Sequence, residues 1–116
     1  MQKVTIWHNP RCSKSRETLA LLQQRDIAPR VVEYLKNPPD TLEIEQALRL
    51  LGLDARGLMR DNEATYARVN AADPRLSRDE LIVLMRGHPE LIQRPVVFAN
   101  GKARIGRPPE AVLEIL

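Results

Sequence analysis

A short apolar run, Val4-Thr5-Ile6-Trp7, reads as a strand, and the apolar spacing of Glu17-Thr18-Leu19-Ala20-Leu21-Leu22 reads as a helix. Arg30-Val31-Val32-Glu33-Tyr34-Leu35 reads as a second strand, stopped by Lys36-Asn37-Pro38-Pro39. Asp40 or Thr41 can cap a helix, with Glu43 close behind; Ile44, Ala47, Leu48 and Leu51 fall on one face before Gly52 ends it. A short helix can start at Asp54 and another can run from Glu63 to Val69, after which Asp73-Pro74 turns the chain. Ser77-Arg78-Asp79-Glu80 is a capping-box sequence, followed by Leu81, Leu84 and Met85 at helical spacing and a stop at Gly87-His88-Pro89. The pattern then returns to strands, Pro95 to Ala99 and Lys102 to Ile105, joined by Asn100-Gly101, the strongest short hairpin signal there is. Gly106-Arg107-Pro108-Pro109 forms a loop, and Glu110 to Leu116 is expected to close the chain as a helix with Val112, Leu113 and Leu116 facing one way.

The order is therefore β-α-β, a helical insertion, then β-β-α. A β-α-β unit of parallel strands crosses over right-handedly, and the hairpin extends it as an antiparallel pair. This is the α/β, thioredoxin-like mixed sheet, with helices expected on both faces. In such folds a proline commonly opens the first hairpin strand in cis, beside the nucleophile loop; Pro95, after Arg94, is the candidate. The chain of 116 residues is expected to be one domain, with a core of residues 1–38 and 91–116 and a helical insertion at 39–90.

Composition narrows the function more by exclusion than by indication. One cysteine rules out a disulfide scaffold and fits a reducing compartment. The first residues hold no apolar stretch long enough for a signal peptide, and no segment suits a membrane span, so a cytoplasmic location is expected. The formal charge is +3, but acidic and basic residues are interleaved and aromatics make up only 3%, which argues against a nucleic-acid surface. Nothing in the sequence supports a metal site, a nucleotide loop or a haem.

The lone cysteine supplies the chemistry. Cys12 lies in His8-Asn9-Pro10-Arg11-Cys12-Ser13-Lys14-Ser15-Arg16, where the first strand hands over to the first helix. Unpaired N–H groups and the positive end of the helix dipole meet there, and both lower a thiol pKa and attract anions. His8, Arg11, Lys14 and Arg16 add positive or ionisable groups. A pKa moved from about 8.5 to about 6.5 would raise the thiolate fraction at pH 7 from roughly 3% to roughly 75%. A lone cysteine is most often a small buried hydrophobe; this placement makes Cys12 a nucleophile candidate instead. Taken singly, His8 could equally be structural, and Arg60, Arg94 and Arg107 could be surface charges.

The loop His8-Asn9-Pro10-x-Cys12-x-x-Ser15-Arg16, with Leu58-Met59-Arg60, Ile92-x-Arg94-Pro95-Val96-Val97 and Gly106-Arg107-Pro108-Pro109-Glu110, resembles the glutaredoxin-coupled arsenate reductases of the ArsC/Spx family from end to end. Within that family it looks most similar to the short YfgD-like branch. The resemblance implies that Cys12 attacks arsenate as a thiolate, with Arg60, Arg94 and Arg107 holding the oxyanion through bidentate geometry that lysine could not match. It implies that His8 favours the thiolate, by its positive form or by ordering the loop, and that the Ser15 hydroxyl reaches the sulfur. No bound cofactor is implied. With one cysteine, electrons must come from outside: glutathione would attack the adduct and glutaredoxin would resolve the mixed disulfide. The partners expected are therefore arsenate or a related oxyanion, glutathione and glutaredoxin, for a protein acting as a monomer without nucleic acid or membrane.

Two other functions compete. One is a glutathione-dependent thiol-disulfide reductase that never meets arsenic. The other is a non-catalytic regulator similar to the Spx branch, which binds RNA polymerase; those relatives carry Cys-x-x-Cys, whereas Ser15 fills the second position here.

Overall fold

The computed structural model describes residues 3–116. The chain forms two compact units, one built from the segment ending at Asn37 together with Arg94–Leu116, the other from Pro38–Gln93.

The first unit holds a four-stranded sheet in the order β2-β1-β3-β4, from β1 (Val4–His8), β2 (Arg30–Glu33), β3 (Val96–Ala99) and β4 (Lys102–Ile105). β1 runs parallel to β2 and antiparallel to β3, and β3 and β4 form an antiparallel hairpin. Asn100 and Gly101 both have positive φ, 54° and 71°, as a two-residue hairpin turn with the right-handed twist of its strands requires. The sheet is the mixed, thioredoxin-like one expected from the order of elements. β2 is shorter than its apolar run, because the chain turns at Tyr34, with Lys36 and Asn37 donating to the Glu33 carbonyl.

Helix α1 (Ser13–Gln24) and a closing 3₁₀ segment (Pro109–Ile115) pack against each other and share a core of Val4, Ile6, Leu22, Val97, Ala99, Val112 and Ile115. Both helical elements of this unit thus lie on one face of the sheet. The alternate residues of β1 and β3 explain it: Val4, Ile6, Val97 and Ala99 supply one apolar surface, and both segments have their apolar side to bury there. The closing segment is 3₁₀, not the α-helix expected. Its buried residues are Pro109, Val112 and Ile115 at a spacing of three, with Leu113 and Leu116 only half-buried, which is the periodicity of a three-residue turn.

The second unit is helical: α2 (Thr41–Leu51), α3 (Ala64–Arg68) and α4 (Arg78–Gly87), with 3₁₀ turns at Ala55–Leu58 and Pro89–Leu91. Asp40 and Ser77 each complete a capping box, with Glu43 and Glu80 respectively. α2 packs on α4 through Ile44, Ala47, Leu48, Leu81, Ile82 and Met85, all buried. Ile82 takes the buried place expected for Leu84, which is half-buried. Met59 and Ile92 form an isolated antiparallel bridge, so that the Arg60 N–H donates to the Leu91 carbonyl at 2.7 Å.

The Asp40 carboxylate accepts from the Glu43 N–H at 2.8 Å, at the start of a helix that buries three residues. Asp40→Ala is expected to lower stability by about 1 kcal/mol. The check is the shift of the urea unfolding midpoint at unchanged m-value.

Candidate active site

β1 delivers His8 to the edge of a four-residue loop, and the loop ends on Cys12, the N-cap residue of α1. Backbone bonds hold this turn: the Cys12 N–H donates to the Asn9 carbonyl at 3.0 Å, and the Arg16 N–H to the Cys12 carbonyl at 3.0 Å. The Asn9 side chain accepts from the Arg11 N–H, and Arg16 donates to the Pro10 carbonyl, both at 3.0 Å. Cys12 has extended backbone angles, and its sulfur faces the N–H groups of the first helical turn.

Cys12 is buried, at 8% exposure. Burial is the largest single influence and pushes the Cys12 thiol pKa up, but smaller ones acting together bring it below its ordinary value: the Ser15 N–H, the charge of Arg94, the Lys14 N–H and a hydrogen bond from Arg94. Lys14 thus acts through its backbone; its ammonium group is engaged with Glu17 at 3.7 Å. Arg107 Nη2 donates to Cys12 Sγ at 3.7 Å, and Arg107 Nε to the Arg94 carbonyl at 2.9 Å. Two guanidiniums therefore converge on one sulfur. Of these, Arg94 keeps Nε and Nη1 buried with no hydrogen-bond partner.

His8 and Ser15 are bonded to each other. His8 Nδ1 and Ser15 Oγ share a buried hydrogen bond of 2.6 Å, and the same hydroxyl accepts from the Asn9 N–H at 3.0 Å. The Ser15 hydroxyl is committed to the strand end and the loop, and its backbone N–H serves the sulfur in its place. Burial lowers the pKa of His8; Glu33 opposes this and Arg16 reinforces it. His8 is accordingly neutral at neutral pH. Its bond to Ser15 ties the end of β1 to the first turn of α1.

Pro95 follows Arg94 through a cis peptide bond, and Arg107–Pro108 is cis as well. The Gly106 N–H donates to the Pro95 carbonyl at 3.0 Å, which carries the β3–β4 pairing past the strand ends and places Arg94 and Arg107 side by side. Among the described residues no group of three or more His, Cys, Asp and Glu side chains is placed to hold a metal ion.

A model of the ArsC family matches residues 7–115. The chain belongs to the ArsC family. An Escherichia coli protein named only as uncharacterized protein YfgD is 53% identical over 99% of this chain and 98% of its own length. A protein named arsenate reductase from Neisseria meningitidis serogroup B is 46% identical over the whole of both chains. Among solved structures, one titled arsenate reductase from Vibrio cholerae superposes with a TM-score of 0.97 at 52% identity, covering 99% of this chain and 98% of that one.

In this ArsC-family chain the first unit carries His8, Cys12, Ser15, Arg94, Pro95 and Arg107, while Arg60 belongs to the second. Arg60 is held there by Glu63, whose carboxylate accepts from Nη1 at 2.9 Å. The N–H groups expected at the helix start are those of Lys14 and Ser15; two features escaped the reading of the sequence, the Arg107–Arg94 bond and the polar run of the buried stripe of α1. That stripe is Ser15, Thr18 and Leu22, polar at the site end, and apolar periodicity has no signal for a buried hydroxyl.

Two titrations check this electrostatic picture. The Cys12 thiol, followed by its ultraviolet absorbance, is expected to ionise below the pKa of about 8.5 of a free cysteine. In Arg94→Ala the midpoint moves up, and in Arg94→Lys it moves up less, because the charge is kept and the planar fork lost. For His8 the folded pKa lies below the unfolded value of about 6.5. Between the two, the unfolded chain binds a proton that the folded chain does not, so stability falls as the pH drops through this window and levels off below it. His8→Asn is expected to flatten that slope, read from urea midpoints at about pH 7 and about pH 5.

Proposed function

We propose that this chain reduces arsenate to arsenite, with Cys12 as the nucleophile and Arg94 and Arg107 as the oxyanion clamp. The observation that carries the reading is the Arg94 guanidinium, which keeps two buried N–H-bearing nitrogens without partners beside a sulfur whose pKa is lowered. A buried donor left unpaired costs about 1–3 kcal/mol, more on a charged group, and an oxyanion seated at the sulfur would offer this guanidinium an acceptor. The printed names of the relatives from Neisseria and Vibrio lend support from outside the chain.

The chemistry follows from one thiol. Cys12 Sγ attacks arsenic(V), an As–O bond breaks, and the oxygen leaves as water after taking up protons. The arginines offset the repulsion between the thiolate and an anion that carries one to two negative charges. Glutathione thiolate then attacks the Cys12 sulfur; a disulfide forms, and the electron pair of the S–As bond stays with arsenic, which departs as arsenite. Glutaredoxin reduces the Cys12–glutathione disulfide and returns the thiol. Across the cycle two thiols are oxidised to one disulfide and arsenic gains two electrons. His8 and Ser15 act on Cys12 through the loop, His8 as a neutral imidazole.

Purified protein with glutathione, glutaredoxin, glutathione reductase and NADPH is expected to consume NADPH when arsenate is added. Cys12→Ser abolishes this, and Arg94→Ala lowers kcat/KM by about tenfold to a hundredfold, the loss of charged hydrogen bonds. An arsenate-dependent rate no higher than that of Cys12→Ser sinks the reading. Turnover of a small glutathione mixed disulfide in that case points to the thiol-disulfide reductase instead.

A further inference from the structure

Gly106 is buried, and it sits where two elements of the site come closest. A Cβ built on it would lie 2.5 Å from Thr18 Oγ1, 2.8 Å from Pro95 Cγ and 3.2 Å from Thr18 Cγ2. Two of these are shorter than any contact a real Cβ makes, and neither neighbour can move aside freely. Thr18 is fully buried in α1, with its hydroxyl donating to the Lys14 carbonyl at 2.8 Å. Pro95 is a buried ring at the start of β3. This is a requirement for a close approach and not for an unusual backbone angle; no positive φ is involved.

The consequence falls on the next residue. Gly106 donates its N–H to the Pro95 carbonyl, and Arg107 then donates Nε to the Arg94 carbonyl and Nη2 to the Cys12 sulfur. A methyl group at position 106 would lift this loop away from α1 and β3 by several tenths of an ångström or more. The sulfur contact, at 3.7 Å, is already near the outer limit for a hydrogen bond to sulfur, so it would be lost before the backbone pairing was.

We propose that Gly106 is a positioning residue: by carrying no side chain it lets the loop close down between Thr18 and Pro95, and so seats the Arg107 guanidinium on the Cys12 sulfur. It touches neither sulfur nor substrate and acts through Arg107. The inference builds on the reading of Cys12 as nucleophile, and its readout is the thiol itself, so its outcome is separate from that of the arsenate assay.

The test is the rate of Cys12 alkylation by iodoacetamide at about pH 6, where that rate reports the thiolate fraction, on full-length protein with far-ultraviolet circular dichroism as the control for folding. Gly106→Ala is expected to react about fivefold more slowly, while Gly87→Ala, at a glycine with open space around it, reacts like the unaltered protein. Arg107→Ala slows alkylation in the unaltered background and adds nothing in the Gly106→Ala background, the non-additivity of two residues acting through one contact. Thr18→Ala restores most of the rate to Gly106→Ala by removing the two Thr18 contacts. If Gly106→Ala does not fold, Thr18→Ala/Gly106→Ala takes its place, and the remaining Pro95 contact must leave it about twofold slower than Thr18→Ala alone. A folded Gly106→Ala with an unaltered rate overturns the proposal. An Arg107→Ala effect of equal size in both backgrounds overturns it too, as do equal rates in the fallback pair.

Discussion

The constraint on which the rest of the site depends is the placing of a thiol of lowered pKa in an almost closed position. At 8% exposure Cys12 has little water to solvate a thiolate, so the protein must supply what water would have given. Three sources do so, and each comes from a different level of the fold. The turn from β1 into α1 offers the N–H groups of Lys14 and Ser15 because a helix start has no partners for them. The hairpin offers Arg94 and Arg107 because it runs beside β1 and carries both residues at the same end. The closeness of α1 to that end, through Thr18 and Gly106, fixes how near the second of them comes.

Strand pairing therefore has an electrostatic result. Trp7 is opposite Val96, and Val96 is opposite Ile105, so the residues just beyond those pairs, the loop after His8, Arg94 with Pro95, and Gly106 with Arg107, end up together. A slip of one residue in the β3–β4 register would turn Arg107 to the other side of its strand direction and leave Arg94 alone at the sulfur. The Asn100-Gly101 turn, with positive φ at both positions, sets that register from the far end of the hairpin. A distant turn thus governs how near Arg107 comes to the sulfur.

Much of this was legible in the sequence wherever one residue type has one physical use. Asn-Gly named the hairpin, Asp40 and Ser77 named two helix starts, and a single cysteine between strand and helix named the nucleophile candidate. What could not be read were choices decided by packing. Glu110 to Leu116 carries good helix formers, yet the closing segment is 3₁₀, since only a spacing of three puts Pro109, Val112 and Ile115 together into the core. The charge state of His8 was likewise open. The residue type permits both forms, and burial at the end of β1 selects the neutral one. Ser15 shows the same limit, because its hydroxyl had two partners within reach of the chain's local geometry and the imidazole took it.

A neutral His8 changes how the thiolate is kept ready. A positive imidazole would tie the reactive state of Cys12 to the protonation of a second group, and thiolate and imidazolium would coexist only between the two pKa values. Guanidiniums and backbone N–H groups do not titrate in this range, so a thiolate held by them persists upward in pH without a partner to lose. A second pH sensitivity lies in the scaffold: burial opposes proton uptake by His8, whose imidazole is bonded to Ser15 beside the loop from Asn9 to Cys12. Loss of reactivity on acidification then has two separable origins, protonation of the sulfur and loosening of the loop. The first follows the thiol titration and the second the stability of the fold, which places the chemistry and its support under different groups of the same short segment.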